Sequence, residues 1–398
     1  MKEALRELAA AMNRADPSAS FAFNLWDGER IAVGNGTPAA VLRINTPGAV
    51  RQLFSGGFHG FGDAYVSGEI AVEGDLQELL RLGLEIQFDE NAQSFWKKLR
   101  FLPFYLKTRS LPTQARSNIE YHYGRSSDFY ALFLDETLTY SCAYFRHETD
   151  SLEQAQRNKF EHIARKLMLT PGETLLDIGC GWGGMLIHCA DRYGVRGVGN
   201  TLSRNQLEFA SARAEKLGLA DRVQVSLKDY RELAGTFDKF VSIGMFEHVG
   251  REFIPVYMKK VAGLLKPGGL GLLHTIAKDV DTPTDTWILQ NIFPGGYIPN
   301  LAETVREMGR VGFCILDIEN LRPHYARTLE HWIARFEKNV GKVEEMFGKK
   351  FVRMWRLYLQ ASRASFQYDG NRVYQVLFSN GLRNDLPLVR DYMYGPGK

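Results

Sequence analysis

The chain of 398 residues has little cysteine. Its four thiols, Cys142, Cys180, Cys189 and Cys314, carry neither metal-ligand spacing nor the spacing of a disulfide framework. A zinc module and a disulfide-stapled secreted scaffold are therefore not expected, and the thiols read as reduced side chains of a cytosolic protein. Long apolar runs are missing too: no window reaches the roughly 18 residues that a membrane span needs. One-sided charge is absent, since 49 Lys and Arg stand against 46 Asp and Glu. The net charge of +3 is too small to imply a nucleic-acid partner by itself. There is no internal repeat and no low-complexity tract. Residues 1–14 mix Lys2, Glu3, Arg6 and Glu7 with Leu5, Leu8 and Met12, the pattern of an amphipathic helix and not of a signal peptide.

What is present suits a soluble globular protein with a real core: 45% hydrophobic and 24% charged residues. Residues 1–92 read as a small α+β domain. Short strands are expected at Phe21–Phe23, Arg30–Val33 and Ala40–Ile44, separated by the turn residues Asp27-Gly28 and Gly34-Asn35-Gly36. Residues 93–117 form a linker in which Lys97, Lys98, Arg100, Lys107 and Arg109 alternate with aromatics and no acid intervenes. Such a mixture suits an anionic bilayer surface or the flank of a neighbouring domain.

From residue 118 onward strands and helices alternate, which predicts a doubly wound α/β sheet. Strands are expected at Glu173–Ile178, Arg196–Gly199, Val223–Leu227, Phe237–Ile243 and Leu270–Thr275, with Cys314–Glu319 and Val373–Phe378 as an antiparallel edge. The segment before Cys314, with Pro283, Pro294-Gly295-Gly296 and Pro299, reads as a lid at the catalytic edge. Tyr325–Phe366 reads as one long amphipathic helix.

The first strand runs into Asp177-Ile178-Gly179-Cys180-Gly181-Trp182-Gly183-Gly184. Glycines there let the backbone turn tightly and a ligand come close. Ligands of open α/β sheets bind at such strand ends. A nicotinamide fingerprint would read G-x-G-x-x-G with a ribose-binding acid about 20 residues on. Here the order is D-x-G-x-G-x-G, and the second strand ends in Gly199-Asn200-Thr201-Leu202 with no carboxylate. Thr201 and Gln206 are the polar replacements, and Asp229-Tyr230 follow the third strand, where an adenine would lie. Asp229 also fits a plain helix N-cap. Glu247 follows the fourth strand and His274 ends the fifth, so a carboxyl and an imidazole reach one edge. Cys142 lies in Tyr140-Ser141-Cys142-Ala143-Tyr144-Phe145 and reads as a small buried hydrophobe, while metal binding by Cys142 and His274 lacks the spacing.

The turn resembles motif I of the class I S-adenosylmethionine (SAM) dependent methyltransferases. The stretches YSCAYF, LLDIGCGWGG, TLSRNQ, KDYREL, SIGMFEHVG, LLHTI, IFPGG and PHYARTLEHW, from Tyr121 to about Trp332, together resemble the cyclopropane-fatty-acyl-phospholipid synthases and mycolic acid cyclopropane synthases. That resemblance implies a Rossmann-like catalytic domain over residues 118–398 behind a lipid-binding N-terminal domain. It implies SAM held by Tyr123, Tyr140, Ser141, Asp177, Gly179, Gly181, Thr201, Leu202, Gln206, Asp229 and Tyr230. It implies bicarbonate held by Glu247, His274 and Tyr325 with backbone groups of Cys142 and Ile276. One departure stands out: Tyr123-Gly124-Arg125 replaces the family's Tyr-Asp-x.

The implied reaction is methylene transfer from SAM to the double bond of an unsaturated phospholipid acyl chain, giving a cyclopropane. Its rivals are methyl or methylene branching of the same chain, and a lipid- or SAM-binding module without chemistry. The implied partner is membrane phospholipid, met by a cytoplasmic protein at the inner face of the cell membrane. A homodimer would let one subunit dock while the other reacts.

Overall fold

The computed structural model describes residues 1–88 and 126–394. The basic and aromatic linker lies outside the described residues, as does Tyr123. The chain forms two compact units, which divide it differently from its sequence order.

The first unit is built from three pieces: residues 1–88, Asp285–Pro294 and Phe336–Asp369. Helix α1 (Lys2–Ala15) precedes strands β1 (Phe21–Asn24), β2 (Arg30–Val33) and β3 (Ala40–Ile44). Helices α2 (Pro47–Gly56) and α3 (Phe58–Ser67), strand β4 (Ile70–Gly74) and helix α4 (Leu76–Glu85) follow. The sheet order is β2-β1-β3-β4, with β1 and β3 parallel and the outer pairs antiparallel. In β3 the side chains of Ala40, Leu42 and Ile44 are buried and Arg43 is exposed, the period of two that packs one face of a sheet. Thr46 and Asp75 cap α2 and α4 by accepting from Ala49 N and Gln77 N.

Of the expected lid segment, only Asp285–Pro294 falls in this unit, and Pro283, Gly295, Gly296 and Pro299 belong to the second. Trp287 is fully buried, its indole edge-on to Phe58 at 6.1 Å and directly over Gly62. The expected long helix is two, Arg322–Lys338 and Val340–Tyr368, and the second is broken at Gly348, whose φ of 80° no regular helix contains. The sequence-based boundary at 118 therefore fails for Asp285–Pro294 and Phe336–Asp369. Apolar complementarity, and not chain order, assigns them.

The second unit holds a seven-stranded sheet. Its strands are β5 (Thr174–Ile178), β6 (Arg196–Thr201), β7 (Val223–Leu227), β8 (Phe237–Ile243), β9 (Leu265–Lys278), β10 (Phe313–Asn320) and β11 (Asn371–Asn380). The order is β10-β11-β9-β8-β5-β6-β7. Strands β9, β8, β5, β6 and β7 are mutually parallel, and β11 runs antiparallel to both β9 and β10. The expected antiparallel edge pair is thus one antiparallel strand slotted inside a strand that runs with the rest. Leu175 to Ile178 of β5 are all buried, as a parallel strand covered on both faces requires. One apolar cluster includes Phe160, Ile163, Leu186 and Leu272, and a second includes Phe240, Tyr257, Val261 and Phe378. Among the described residues no helix is long and apolar enough to cross a membrane.

Candidate active site

Three glycines after β5 do different work. Gly179 has φ 79°, and a Cβ there would meet the Met245 side chain at 2.6 Å. Gly183 has φ 78°, with a Cβ position 3.0 Å from Ala210. Gly181 has φ 55° and open space where its Cβ would be, so no protein neighbour requires a glycine there, only the backbone conformation and the cavity it lines. Asn200, which sequence reasoning passed over, ties the strand ends together. Its Oδ1 accepts from Gly179 N at 3.3 Å and its Nδ2 donates to Lys228 O at 2.9 Å.

Tyr140, Ser141, Asp177, Gly179, Gly181, Thr201, Leu202, Gln206, Asp229 and Tyr230 all line one cavity at these strand ends. Thr201 Oγ1 donates to Gln206 Oε1 at 2.6 Å and accepts from Ser203 N at 3.1 Å. Asp229 is both cap and lining residue: it accepts from Arg231 N and takes the Arg231 guanidinium at 2.7 Å on each oxygen. Burial opposes ionisation of Asp229, but the Arg231 contacts outweigh it and hold the carboxyl below its ordinary range. Asp177 is buried with Oδ1 unpartnered among the described residues, and burial pushes its pKa up to about 7 against the pull of Lys159. Lys159 also lines the cavity and gave no signal in the sequence beyond its charge. Burial lowers its pKa to about 7, and Nζ donates to Ser141 Oγ at 2.8 Å.

The candidate catalytic residues lie beside this cavity, with Met245 and His248 on its wall and Glu247 between them in sequence. Glu247 Oε1 accepts from Ile276 N at 2.6 Å, while Oε2 is buried with no partner among the described residues. Burial raises the Glu247 pKa to about 7, against the Ile276 N–H. His274 pairs with Gln375 across β9 and β11, and Gln375 Nε2 donates to His274 Nδ1 at 3.2 Å. That leaves the imidazole proton on Nε2. Burial, aided by Lys159 and Lys166, holds His274 neutral. Ile276 pairs with Val373, whose carbonyl accepts from Leu321 N at 2.7 Å. The Leu321 carbonyl in turn meets Cys142 Sγ at 3.8 Å and Tyr325 N at 3.2 Å. Hydrogen bonds thus string Glu247, Ile276, Cys142 and Tyr325 along one edge. The Cys142 thiol is fully buried and its pKa pushed up by desolvation, so it is no thiolate. Aromatic rings bridge the two zones: Trp182 to Tyr130 at 5.1 Å, Tyr130 to Tyr140 at 5.4 Å, Tyr140 to Trp332 at 5.1 Å and Trp332 to Tyr325 at 5.9 Å.

The parallel sheet, the glycine turn and the cavity at the strand ends define a class I SAM-dependent methyltransferase. Coclaurine N-methyltransferase shares that fold at 21% identity, with a TM-score of 0.66. The Mycolic acid cyclopropane synthetase family model matches residues 111–376, and a domain of unknown function matches residues 10–98. The chain belongs to the cyclopropane synthase family. It is 37% identical to the "Probable fatty acid methyltransferase" of Pseudomonas putida, over 93% of this chain and 95% of that one. It is 35% identical to the cyclopropane-fatty-acyl-phospholipid synthase of Escherichia coli K12, over 89% of this chain and 92% of that one. The solved cyclopropane synthase MmaA2 from Mycobacterium tuberculosis matches with TM-score 0.64 and 33% identity, over 66% of this chain and 98% of that one. The mycolic acid cyclopropane synthase CmaA1, solved with S-adenosylhomocysteine (SAH), gives the same figures.

Proposed function

We propose that the protein transfers a methylene group from SAM to the cis double bond of a phospholipid acyl chain, forming a cyclopropane. The observation that carries this reading is Glu247: a buried carboxyl with one unpartnered oxygen, poised near neutrality beside the donor cavity. A carrier has no need of such a group.

SAM, when bound, supplies an electrophilic methyl group. The cavity fits it: Gly181 opens to the ligand, Asp177 offers an unpartnered oxygen, and Tyr230 adds a buried hydroxyl without a partner among the described residues. An alkene is a weak nucleophile, so these contacts must hold donor and acceptor in line. The alkene π electrons would form the new carbon–carbon bond as the sulfonium–methyl bond breaks and SAH leaves as a neutral thioether, so that the positive charge passes to the acyl chain. The faces of Tyr140, Trp332 and Tyr325 stabilise that charge. The dry aromatic wall keeps out water, which would trap the cation as an alcohol. Ring closure then needs loss of a proton from the transferred carbon.

Bicarbonate, when bound, would supply the base. Glu247 Oε2, the Nε2–H of His274 and the Tyr325 hydroxyl would hold it, with Cys142 and Ile276 backbone groups. The Ile276 N–H is already held by Glu247 Oε1, so its use requires that carboxyl to turn.

The first unit is proposed to receive the phospholipid head group at the inner face of the cell membrane. A second reading, methyl or methylene branching of the chain, is favoured by the Pseudomonas putida relative's name.

Incubation with SAM and unsaturated phospholipid vesicles, followed by mass spectrometry of the fatty acids, separates the readings. Cyclopropanation adds one methylene and leaves chains that resist mild hydrogenation. Heavier chains that take up hydrogen indicate methylene branching, and no gain of mass refutes both.

A further inference from the structure

Residues 140–145 are buried or half-buried and belong to no helix or strand. Backbone groups in such a segment need partners from elsewhere. Two helices supply them. From Leu152–Lys166, Gln156 Nε2 donates to the Ser141 carbonyl at 3.0 Å, and the Ala155 carbonyl accepts from Tyr144 N at 3.0 Å. From Arg322–Lys338, His324 Nδ1 accepts from Phe145 N at 3.0 Å and Thr328 Oγ1 accepts from Ala143 N at 3.0 Å. The Tyr144 ring lies stacked between His162 and His324, with centroids 4.3 and 4.7 Å away.

The Thr328 contact is directional. Its hydroxyl hydrogen goes to the His324 carbonyl at 2.7 Å, so a lone pair faces Ala143. Thr328 and Ala143 are both fully buried, beyond the reach of bulk water. The Ala143 N–H shares one planar peptide with the Cys142 carbonyl. That peptide is trans, so fixing the N–H turns the carbonyl to the opposite side. Tyr325 lies between His324 and Thr328 on the same helix. One turn of helix thus carries a candidate anion ligand and the two acceptors that set the segment around Cys142.

We propose that Thr328 is a positioning residue: it holds the Ala143 N–H so that the Cys142 carbonyl is aimed to accept the O–H of bicarbonate. Bicarbonate has one O–H to give, and a carbonyl can only accept. Holding that O–H at Cys142 keeps it away from the transferred carbon, where an oxygen able to accept a proton is required. The proposal rests on the bicarbonate reading and adds to it the residue that sets one wall of that site.

Carbon-13 NMR of the full chain, with SAH bound and labelled bicarbonate added, tests this. Thr328→Val keeps the shape and removes the acceptor. Bicarbonate affinity should fall about tenfold, while SAH affinity stays within about twofold. Thr328→Ser keeps the hydroxyl and should bring bicarbonate affinity back to within about twofold of the natural protein. A merely structural threonine would lower the melting temperature and leave bicarbonate affinity unchanged, which overturns the proposal. If Thr328→Val does not fold, the natural protein still decides. Carbonyl-labelled cysteine with nitrogen-labelled alanine marks two peptides, Cys142-Ala143 and Cys189-Ala190. Bicarbonate should shift the first, while the second, inside the helix Gly184–Tyr193, should not move. An unmoved Cys142 carbonyl overturns the inference while the bicarbonate reading stands. A protein that binds no bicarbonate refutes that reading and the inference with it.

Discussion

Glu247 grips the backbone of Ile276 with one carboxyl oxygen and leaves the other buried and unpartnered. Replacing the carboxyl with an amide keeps the shape and removes the carboxylate that would hold and orient the base. Glu247→Gln should lose turnover by about a hundredfold or more, on the scale of general acid–base catalysis. Its affinity for SAH should stay within about twofold of the natural protein, because Glu247 is not among the cavity-lining residues. Single-turnover product formation and calorimetry check the two halves, and a fully active variant would remove Glu247 from the chemistry.

The same residue sets an acid limb in the pH profile. The chemistry requires the ionised form, and burial has lifted the pKa to about 7. Turnover should therefore fall as pH drops through about 7. His274 is neutral well below that, so it should add no second limb near neutrality. Stability runs the other way. A carboxyl whose folded pKa is raised favours folding at low pH and opposes it as pH climbs from 4.5 to about 7. Glu247→Gln should therefore gain stability relative to the natural protein by on the order of 2 kcal/mol more at pH ~8 than at pH ~5. Denaturant unfolding at the two pH values measures it.

Gly179→Ala would place a Cβ 2.6 Å from Met245 at a φ of 79°. The backbone strain alone costs about 1–2 kcal/mol, and the turn must shift. SAH affinity should fall by about tenfold or more. Gly172 is the control: it has φ 86° and nothing within 4 Å of its Cβ position. Gly172→Ala should lose about 1 kcal/mol of stability and keep its ligand. Equal effects on affinity would argue against a special role for Gly179.

Trp287 tests the make-up of the first unit. Its indole is fully buried over Gly62. Trp287→Ala should destabilise that unit by about 3–5 kcal/mol. Hydrogen exchange should rise in α2 and α3 while strands β5 to β9 stay protected. Uniform loss of protection would mean that the two units unfold together.

The alternation of strands from Glu173 to Thr275 was legible because each parallel strand is apolar throughout and each turn carries its glycine. The cavity-lining residues that follow β5, β6 and β7 were legible for the same reason: parallel strands deliver their ends to one edge. Lys159 and Gln375 were not, because both reach the site from one element away and look like ordinary polar residues on a helix and a strand. The place of β11 depended on pairing across long sequence separation. The seat of Trp287 was not legible, because only packing, and no local signal, says which apolar surface receives it.

The three-piece construction of the first unit has a bearing on biosynthesis. As the chain leaves the ribosome, the β1–β4 sheet emerges first, but its partners, Trp287 and the helix Val340–Tyr368, arrive only after strands β5 to β9. The early segment must wait with an apolar seat open until those pieces arrive. Shortening the chain from its carboxyl end would strip the first unit before it touched the sequence that builds the donor turn.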